Sequence, residues 1–151
     1  MTIKGYMKKK VFSIPETATI AEAAAMFVEK RVGLLPVVNP QGIPVGVVRM
    51  LNLISLELPD FLNLVEDFDF VNDFGALELI NPDPEVLSRS ITTVMQPVDT
   101  IEEDCGLLRV FAIMLHGDFS DLPVTNESGE LVGIVSRVDI GRGILSDWPK
   151  E

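Results

Sequence analysis

The hydrophobic pattern of the chain alternates between short apolar runs and one amphipathic stretch of helical period. The runs 11–14, 35–38 and 45–48 have the length and the branched side chains of β-strands. Between the first two, Thr19 and Glu22 have the spacing of a capping box, which predicts a helix running to about Lys30. Its apolar positions have i, i+3, i+4, i+7 spacing and predict a buried face of Ala21, Ala24, Ala25 and Val28.

The same pattern returns later in the chain. Leu-Pro-Val at 35–37 recurs at 122–124, and Val-Gly at 45–46 recurs at 132–133, an offset of 87 residues. With this offset the segments 11–54 and 98–141 align without a gap and share 12 identities. The chain is therefore predicted to contain two copies of one βαββα unit.

The elements of the second copy follow those of the first. Strands are predicted over 98–101, 122–125 and 131–136, and a closing helix over 138–145. Asp104 is the predicted cap of the intervening helix, whose expected buried face is Leu107, Leu108, Phe111 and Leu115. The tight turns at 39–42 and 126–129 both end in glycine, where a positive φ costs little.

Neither small sheet could cover its apolar face alone. We therefore expect an α/β fold of the α+β type, with two βαββα units packed about a pseudo-two-fold axis. The segment 55–92 has no partner in the repeat and interleaves apolar with acidic residues, so it is predicted to be an acidic, amphipathic helical insertion. The predicted domains are 1–54, 55–92 and 93–151.

Composition narrows the classes of function. The net charge of −11 disfavours binding to nucleic acid. A single cysteine, Cys105, and the lack of any apolar run of about 18 residues favour a cytoplasmic protein with no membrane partner. We expect no enzyme, because no catalytic constellation is present, and no metal site or required cofactor.

Several motifs lie at equivalent places in the two copies. Pro-Val stands at 36–37 and 123–124, a glycine at 46 and 133, and Met-Gln-Pro at 95–97 leads into the second copy. Gly-Ile-Val-Ser-Arg-Val-Asp at 133–139 completes the set. Together these motifs resemble the tandem CBS (cystathionine-β-synthase-type) pair, or Bateman module. The resemblance implies a non-catalytic, homodimeric sensor that binds AMP, ADP, ATP or S-adenosylmethionine between its repeats.

Ser136 and Asp139 have a physical case of their own as a ligand site. A carboxylate can accept hydrogen bonds from both hydroxyls of a ribose, and such charge-assisted bonds are strong. Both residues lie at a predicted strand-to-helix junction, where free backbone N–H groups attract a phosphate and Ser136 can add a hydroxyl. The alternative is an ordinary helix cap, since serine and aspartate are both good capping residues.

The resemblance also implies which residues complete the site. The first copy would surround the base, and the second copy would supply the other wall together with the loop. One lysine of the run 8–10, with Lys10 nearest, would meet a phosphate, unless the run is a solvated tail. The implied residues are Val11, Phe12, Val32, Gly33, Leu34 and Leu35 from the first copy, and Ile134 and Arg137 from the second.

The equivalent loop of the first copy departs from the motif. Arg49 replaces the serine, Asn52 replaces the aspartate, and Asp121 on the facing segment would oppose a phosphate. We expect this second site to be weak or empty, with Arg49 free to pair with Asp121. These departures also leave open a ligand-free module that only dimerises and offers the insertion to a protein partner.

Overall fold

The structure, a computed structural model, describes residues 1–56 and 82–150. The first copy forms a three-stranded sheet of order β1-β2-β3, with β1 parallel and β3 antiparallel to β2. A helix connects β1 to β2, and a short helix follows β3. The bounds are β1 Ile14–Pro15, α1 Ile20–Lys30, β2 Leu34–Val38, β3 Pro44–Arg49 and α2 Met50–Ile54.

The second copy repeats this arrangement. Its sheet has the order β4-β5-β6, and Pro123 faces Ile134 as Pro36 faces Val47 in the first copy. The bounds are β4 Ile101–Glu102, α4 Leu107–Gly117, β5 Asp121–Thr125, β6 Leu131–Ser136 and α5 Arg137–Leu145, with a short helix α3 at Pro84–Leu87 before them. The predicted α+β fold with two equivalent units is confirmed.

Local sequence signals account for the ends of these elements. Thr19 and Glu22 form both hydrogen bonds of the predicted capping box, and α1 ends at Lys30 as predicted. Gly42 and Gly129 close the two hairpin turns at φ values of 78° and 82°, where only glycine is unstrained. These signals depend on a few neighbouring residues, so they can be recognised without knowing the fold.

Three predictions of local structure were wrong. The first strand of each copy is shorter than predicted, at Ile14–Pro15 and Ile101–Glu102, and Val11 and Phe12 border a cavity instead of pairing with β2. Helix α4 begins after Gly106, not Asp104, and Gly106 has no side chain to form a cap. The buried faces also differ from the prediction, although Leu107 is buried as expected: α1 buries Ile20, Ala23 and Phe27, and α4 buries Val110 and Met114 beside Leu107.

The error in the helix faces has a common cause. In both helices a second apolar stripe lies beside the buried one, and Val28 and Leu115 on that stripe are exposed. The larger side chains of α1, Ile20 and Phe27, lie on the buried stripe, so its burial removes more apolar area from water. The predicted helical insertion falls mostly on residues 57–81, outside the described residues.

The segments leading into each copy pack on the opposite copy. Ile3 and Met7 lie in the core of the second unit, whereas Ile91 lies in the core of the first unit with Met95 packed against it. The backbone contacts are reciprocal, because Ile3 N donates to Cys105 O and Ile91 N donates to Ala18 O, at 2.9 Å and 2.8 Å. The domain boundaries at 54 and 93 stay predictions, but each core needs residues from both sides of them.

A glycine in each closing strand permits this exchange. Lys8 pairs with Ile134 through two backbone hydrogen bonds, and Gln96 pairs with Val47 in the same way. The neighbouring glycines have no room for a side chain: a Cβ on Gly133 would lie 2.7 Å from Lys8 O, and a Cβ on Gly46 would lie 2.6 Å from Met95 Sδ. The glycines at these positions are thus required by close packing of the leading segments.

We expect Gly133→Ala to lower the free energy of unfolding by about 1–3 kcal/mol, the usual cost of overpacking, because the backbone of Lys8 must move. Gly141→Ala is the matched control, since Gly141 lies in α5 and a Cβ there meets nothing within 4 Å. That variant should be neutral or slightly stabilising. Chemical denaturation measures both variants, and equal stability of Gly133→Ala and the wild type would contradict the packing argument.

Candidate ligand-binding site

The loop between β6 and α5 is held by a capping box. Ser136 Oγ accepts from Asp139 N at 3.2 Å, and Asp139 Oδ2 accepts from Ser136 N at 2.9 Å. The hydroxyl of Ser136 also lies 2.9 Å from Oδ2, as a donor to it. The capping role considered from the sequence is therefore formed. The cap leaves one carboxylate oxygen available, because every hydrogen bond to the Asp139 side chain within the described residues goes to Oδ2.

Lys8 supplies a further donor to Asp139. Its Nζ lies 2.7 Å from Asp139 Oδ2 and 3.4 Å from Ser136 Oγ. The carboxylate is nearly buried, with 7% of the side chain exposed, whereas 56% of the Lys8 side chain is exposed. A buried carboxylate thus has its counter-ion at the protein surface, on a long side chain that can move.

The protonation of Asp139 reflects this environment. Burial acts to raise the pKa of Asp139, but hydrogen bonds from Lys8 and Ser136 and the positive charge of Lys8 together hold this pKa below its ordinary value. Asp139 is therefore ionised at neutral pH and able to accept further hydrogen bonds.

A cavity of about 250 Å³ lies beside this loop, between the two copies. It gathers seven of the residues implied by the resemblance, which are Lys10, Val11, Phe12, Val32, Gly33, Leu34 and Ile134. Lys8 and Asp121 complete the lining. Neither copy encloses this space alone, since Ile134 belongs to β6 and most of the other residues come from the first copy.

Phe12 is the aromatic side chain of the lining. The ammonium groups of Lys10 and Lys30 lie 5.5 Å and 5.2 Å from its ring centroid, within the range of cation–π interactions. The apolar cavity is thus bordered by positive charge on this side, as well as at Lys8.

Four predicted residues lie outside the cavity lining. Leu35 is fully buried in the core of the first unit. Arg137 turns toward the end of α4, where its Nε donates to Phe119 O at 2.7 Å. Ser136 and Asp139 are adjacent to the cavity but do not line it, since Lys8 occupies that position and contacts both.

The equivalent loop of the first copy keeps the cap without the charge. Asn52 Oδ1 accepts from Arg49 N at 2.8 Å, as Asp139 does from Ser136 N. Arg49 does not pair with Asp121 as expected; its Nη1 donates to Gln96 Oε1 at 3.2 Å. The cavity bordered by Arg49 and Asp121 has a volume of only about 30 Å³, the space of about one water molecule.

Two larger cavities lie near the start of α4. One, of about 440 Å³, is lined by residues that include Leu108, Arg109 and Trp148, and the other, of about 620 Å³, by residues that include Glu102, Cys105 and Arg109. Neither is bordered by residues 11–56 or by the Ser136 loop. Within 1–56 and 82–150, no three metal-ligating side chains come together. None of the helices described is long and apolar enough to cross a membrane.

The sequence prediction placed a phosphate, not Asp139, next to the lysine run. The signal that locates Lys8 is a second offset in the repeat. Ile3 and Met7 match Ile91 and Met95 at 88 residues instead of 87, so Lys8 corresponds to Gln96. The extra residue lies between Lys8 and Val11 in the first copy. Because Gln96 contacts Arg49 in the loop of the first copy, the equivalent Lys8 is expected at the loop of the second copy.

Comparison with known proteins identifies the family. The model of the CBS domain matches twice, over residues 3–58 and 85–146. The chain therefore belongs to the CBS-domain family, and the tandem pair expected from the sequence is confirmed.

The chain is similar to parts of longer proteins. It is 27% identical over 151 residues to the chloroplastic CBS domain-containing protein CBSX1 of Arabidopsis thaliana, covering 95% of this chain and 64% of that protein. It is also 27% identical over 136 residues to the gamma-3 subunit of human 5′-AMP-activated protein kinase, covering 87% of this chain and 24% of the subunit. The chain thus spans less than two thirds of either relative.

Solved structures share the fold. CBSX2 in complex with AMP superposes with a TM-score of 0.71 at 22% identity, covering 96% of each chain. The CBS domain pair of protein MJ0100, in complex with 5′-methylthioadenosine and S-adenosyl-L-methionine, has a TM-score of 0.68 at 21% identity, covering 98% of each chain.

The charge of Asp139 should contribute to stability. Because its pKa is lower in the folded chain than the usual unfolded value of about 3.9, the contribution is present above about pH 4 and is lost as the pH falls through the folded pKa. Asp139→Asn removes the charge but can keep the cap, as Asn52 does in the first copy. We expect it to lower the free energy of unfolding at pH 7 by about 1 kcal/mol, since Lys8 is half-exposed.

Urea denaturation between pH 7 and pH 2 measures this effect, and the curves of the two proteins should converge at the acid end. Asp118→Asn is the control, because Asp118 pairs with Arg137 at 3.1 Å but is 98% exposed. It should change stability little at any pH. An Asp139→Asn curve parallel to that of the wild type would contradict the assignment.

Proposed function

We propose that this chain is a cytoplasmic, non-catalytic regulatory module that binds one adenosine-containing ligand in the 250 Å³ cavity between its two copies. The observation that carries the proposal is that an ionised carboxylate in the first turn of α5 lies beside an apolar cavity with an aromatic side chain. The cavity belongs mainly to the first copy, and the carboxylate is Asp139 of the second copy.

The two parts suit the two halves of a nucleoside. Phe12, Leu34 and Ile134 offer the apolar surface that a flat base needs, and aromatic contact adds to the affinity. Asp139 keeps Oδ1 for the hydroxyls of a ribose while Oδ2 holds the cap. The hydroxyl of Ser136 and the N–H of Val138 can meet a phosphate, whereas the N–H groups of Arg137 and Asp139 donate to Ser120 O and Ser136 Oγ.

The relatives support an adenosine ligand. CBSX2 has been solved with AMP, and the MJ0100 pair with 5′-methylthioadenosine and S-adenosyl-L-methionine. The human relative is a subunit of a kinase activated by 5′-AMP. A module of this kind changes its partner affinity or its packing when the ligand binds, and the segment 55–92 is the part of the chain we propose as the partner surface.

We expect isothermal titration to give one site per chain for at least one of AMP, ADP, ATP and S-adenosylmethionine. Asp139→Ala should weaken that binding by about 10- to 100-fold, because the charged acceptor for the ribose is lost. Asn52→Ala is the matched control at the equivalent position of the first copy, and it should leave the affinity unchanged.

Two equal sites per chain, or equal losses in the two variants, would contradict the assignment of the site. Thermal-shift screening is the independent measurement, because a ligand bound to the folded state raises its stability by mass action. No shift with any adenosine compound would favour the alternative, a module that serves only for association.

A specific observation also favours association of two chains. Helices α4 and α5 present an exposed apolar row in which Leu108 is 71%, Leu115 56% and Val138 69% exposed. Leu145 and Trp148 extend this row. Adjacent exposed apolar side chains of this kind are typical of an interface, and we propose that a second copy of the chain covers them, with or without ligand.

The double variant Leu108→Glu, Val138→Glu should convert a dimer to a monomer, because it places one charge on each of the two helices that form the apolar row. Light scattering coupled to size exclusion measures the mass. Ser128→Glu, on the exposed turn between β5 and β6, is the control and should remain dimeric. A wild type that is monomeric at all concentrations, or a double variant that stays dimeric, would contradict this interface.

A further inference from the structure

The Lys8 side chain stands between the cavity and Asp139. It lines the cavity, while Ser136 and Asp139 do not, and its Nζ contacts both of those residues. A ligand in the cavity meets the Lys8 side chain before it reaches the carboxylate, because Lys8 lines the cavity and Asp139 does not. The cavity volume of about 250 Å³ is also slightly below the usual range of about 300–1,000 Å³, so displacement of Lys8 would add the space that a sugar needs.

Lys8 is able to make that move. Its backbone is fixed by the two hydrogen bonds to Ile134, at 2.9 Å and 3.0 Å, whereas its side chain is 56% exposed. The ammonium group can therefore leave Asp139 without disturbing the two backbone hydrogen bonds to Ile134.

We propose, resting on the function proposed above, that Lys8 is the residue that makes this site select phosphorylated adenosine ligands over neutral or cationic ones. In the free protein Lys8 neutralises Asp139. When a ribose takes the carboxylate, Lys8 transfers to the phosphate of the ligand, which would lie close to Ser136.

The balance of charge explains the selection. A neutral nucleoside that displaces Lys8 breaks an ion pair of 2.7 Å and gives the ammonium no new partner. A ligand with a sulfonium places a second positive charge beside Lys8, in a cavity that Lys10 also lines. A phosphate replaces the lost carboxylate contact, and charge-assisted bonds to phosphate are strong.

Other charged groups do not replace Lys8 in this role. Lys10 lies 5.5 Å from the ring centroid of Phe12, at the position proposed for the base. Asp121 is the acidic residue of the lining and disfavours a phosphate in its own part of the cavity. In the first copy the corresponding contact is neutral on one side, since Gln96 accepts from Arg49, and no ion pair is available for exchange.

The experiment compares the affinities of AMP, adenosine and S-adenosylmethionine for the full chain and three variants. The wild type should bind AMP at least about tenfold more tightly than adenosine, the value of one charge-assisted contact. Lys8→Met should weaken AMP and strengthen adenosine, so that their affinities differ by less than about threefold, and Lys8→Arg should keep the preference. Lys9→Met is the matched control, because Lys9 is exposed and outside the cavity lining.

The outcomes separate the two proposals. If adenosine compounds bind the wild type but Lys8→Met keeps the wild-type ratio of AMP to adenosine, the role of Lys8 is wrong and the proposed function stands. A wild type that prefers S-adenosylmethionine to AMP would also overturn it. If none of the three compounds binds the wild type, both proposals fail. Circular dichroism checks that Lys8→Met is folded, as expected for a half-exposed side chain.

Discussion

The pairing of each leading segment with the opposite copy is the interaction on which the rest of the structure depends. Ile3 enters the core of the second unit and Ile91 that of the first, so each core contains a buried side chain that the other repeat brings in. The backbone of Lys8 then runs along β6, and the residues that follow turn toward the first copy. That path places Val11 and Phe12 opposite Ile134 and creates the cavity. The cavity of the candidate ligand site is thus a consequence of how the repeats are held together.

The two copies share the backbone structure of the strand-to-helix junction but differ in the charge of the side chain that caps the helix. Asp139 and Asn52 accept the same backbone hydrogen bond at 2.9 Å and 2.8 Å, so the strand-to-helix junction is equally well formed in both. Only the aspartate carries a charge, and only its side chain is paired with a lysine. The loop of the first copy has Arg49 next to a cavity of about 30 Å³ and offers neither the space nor the acceptor. The fold of a repeat therefore does not depend on the charged residues of the candidate site.

The sequence predicts what depends on local signals and fails where tertiary packing decides. The capping box at Thr19 and the glycine turns follow from a few neighbouring residues, and both are confirmed. The buried faces of α1 and, apart from Leu107, of α4 were mispredicted because both helices carry two apolar stripes, and only the packing selects one of them. One lysine of the run 8–10 was expected near a phosphate, but the contact of Lys8 with Asp139 spans 131 residues and depends on the exchange of leading segments.

In the proposed function, Asp139 links ligand binding to the exchange of the leading segments. Its carboxylate holds the cap of α5 and, through Lys8, the side chain of the segment that completes the second core. A ligand that takes Lys8 from Asp139 must change the free energy of the Lys8–Asp139 contact. By reciprocity, the strength of this contact changes the affinity for the ligand. Ile3 and Met7 lie only a few residues before Lys8 and pack in the core of the second unit. The proposed transfer of Lys8 to a ligand would therefore take place on the segment that holds the two copies together.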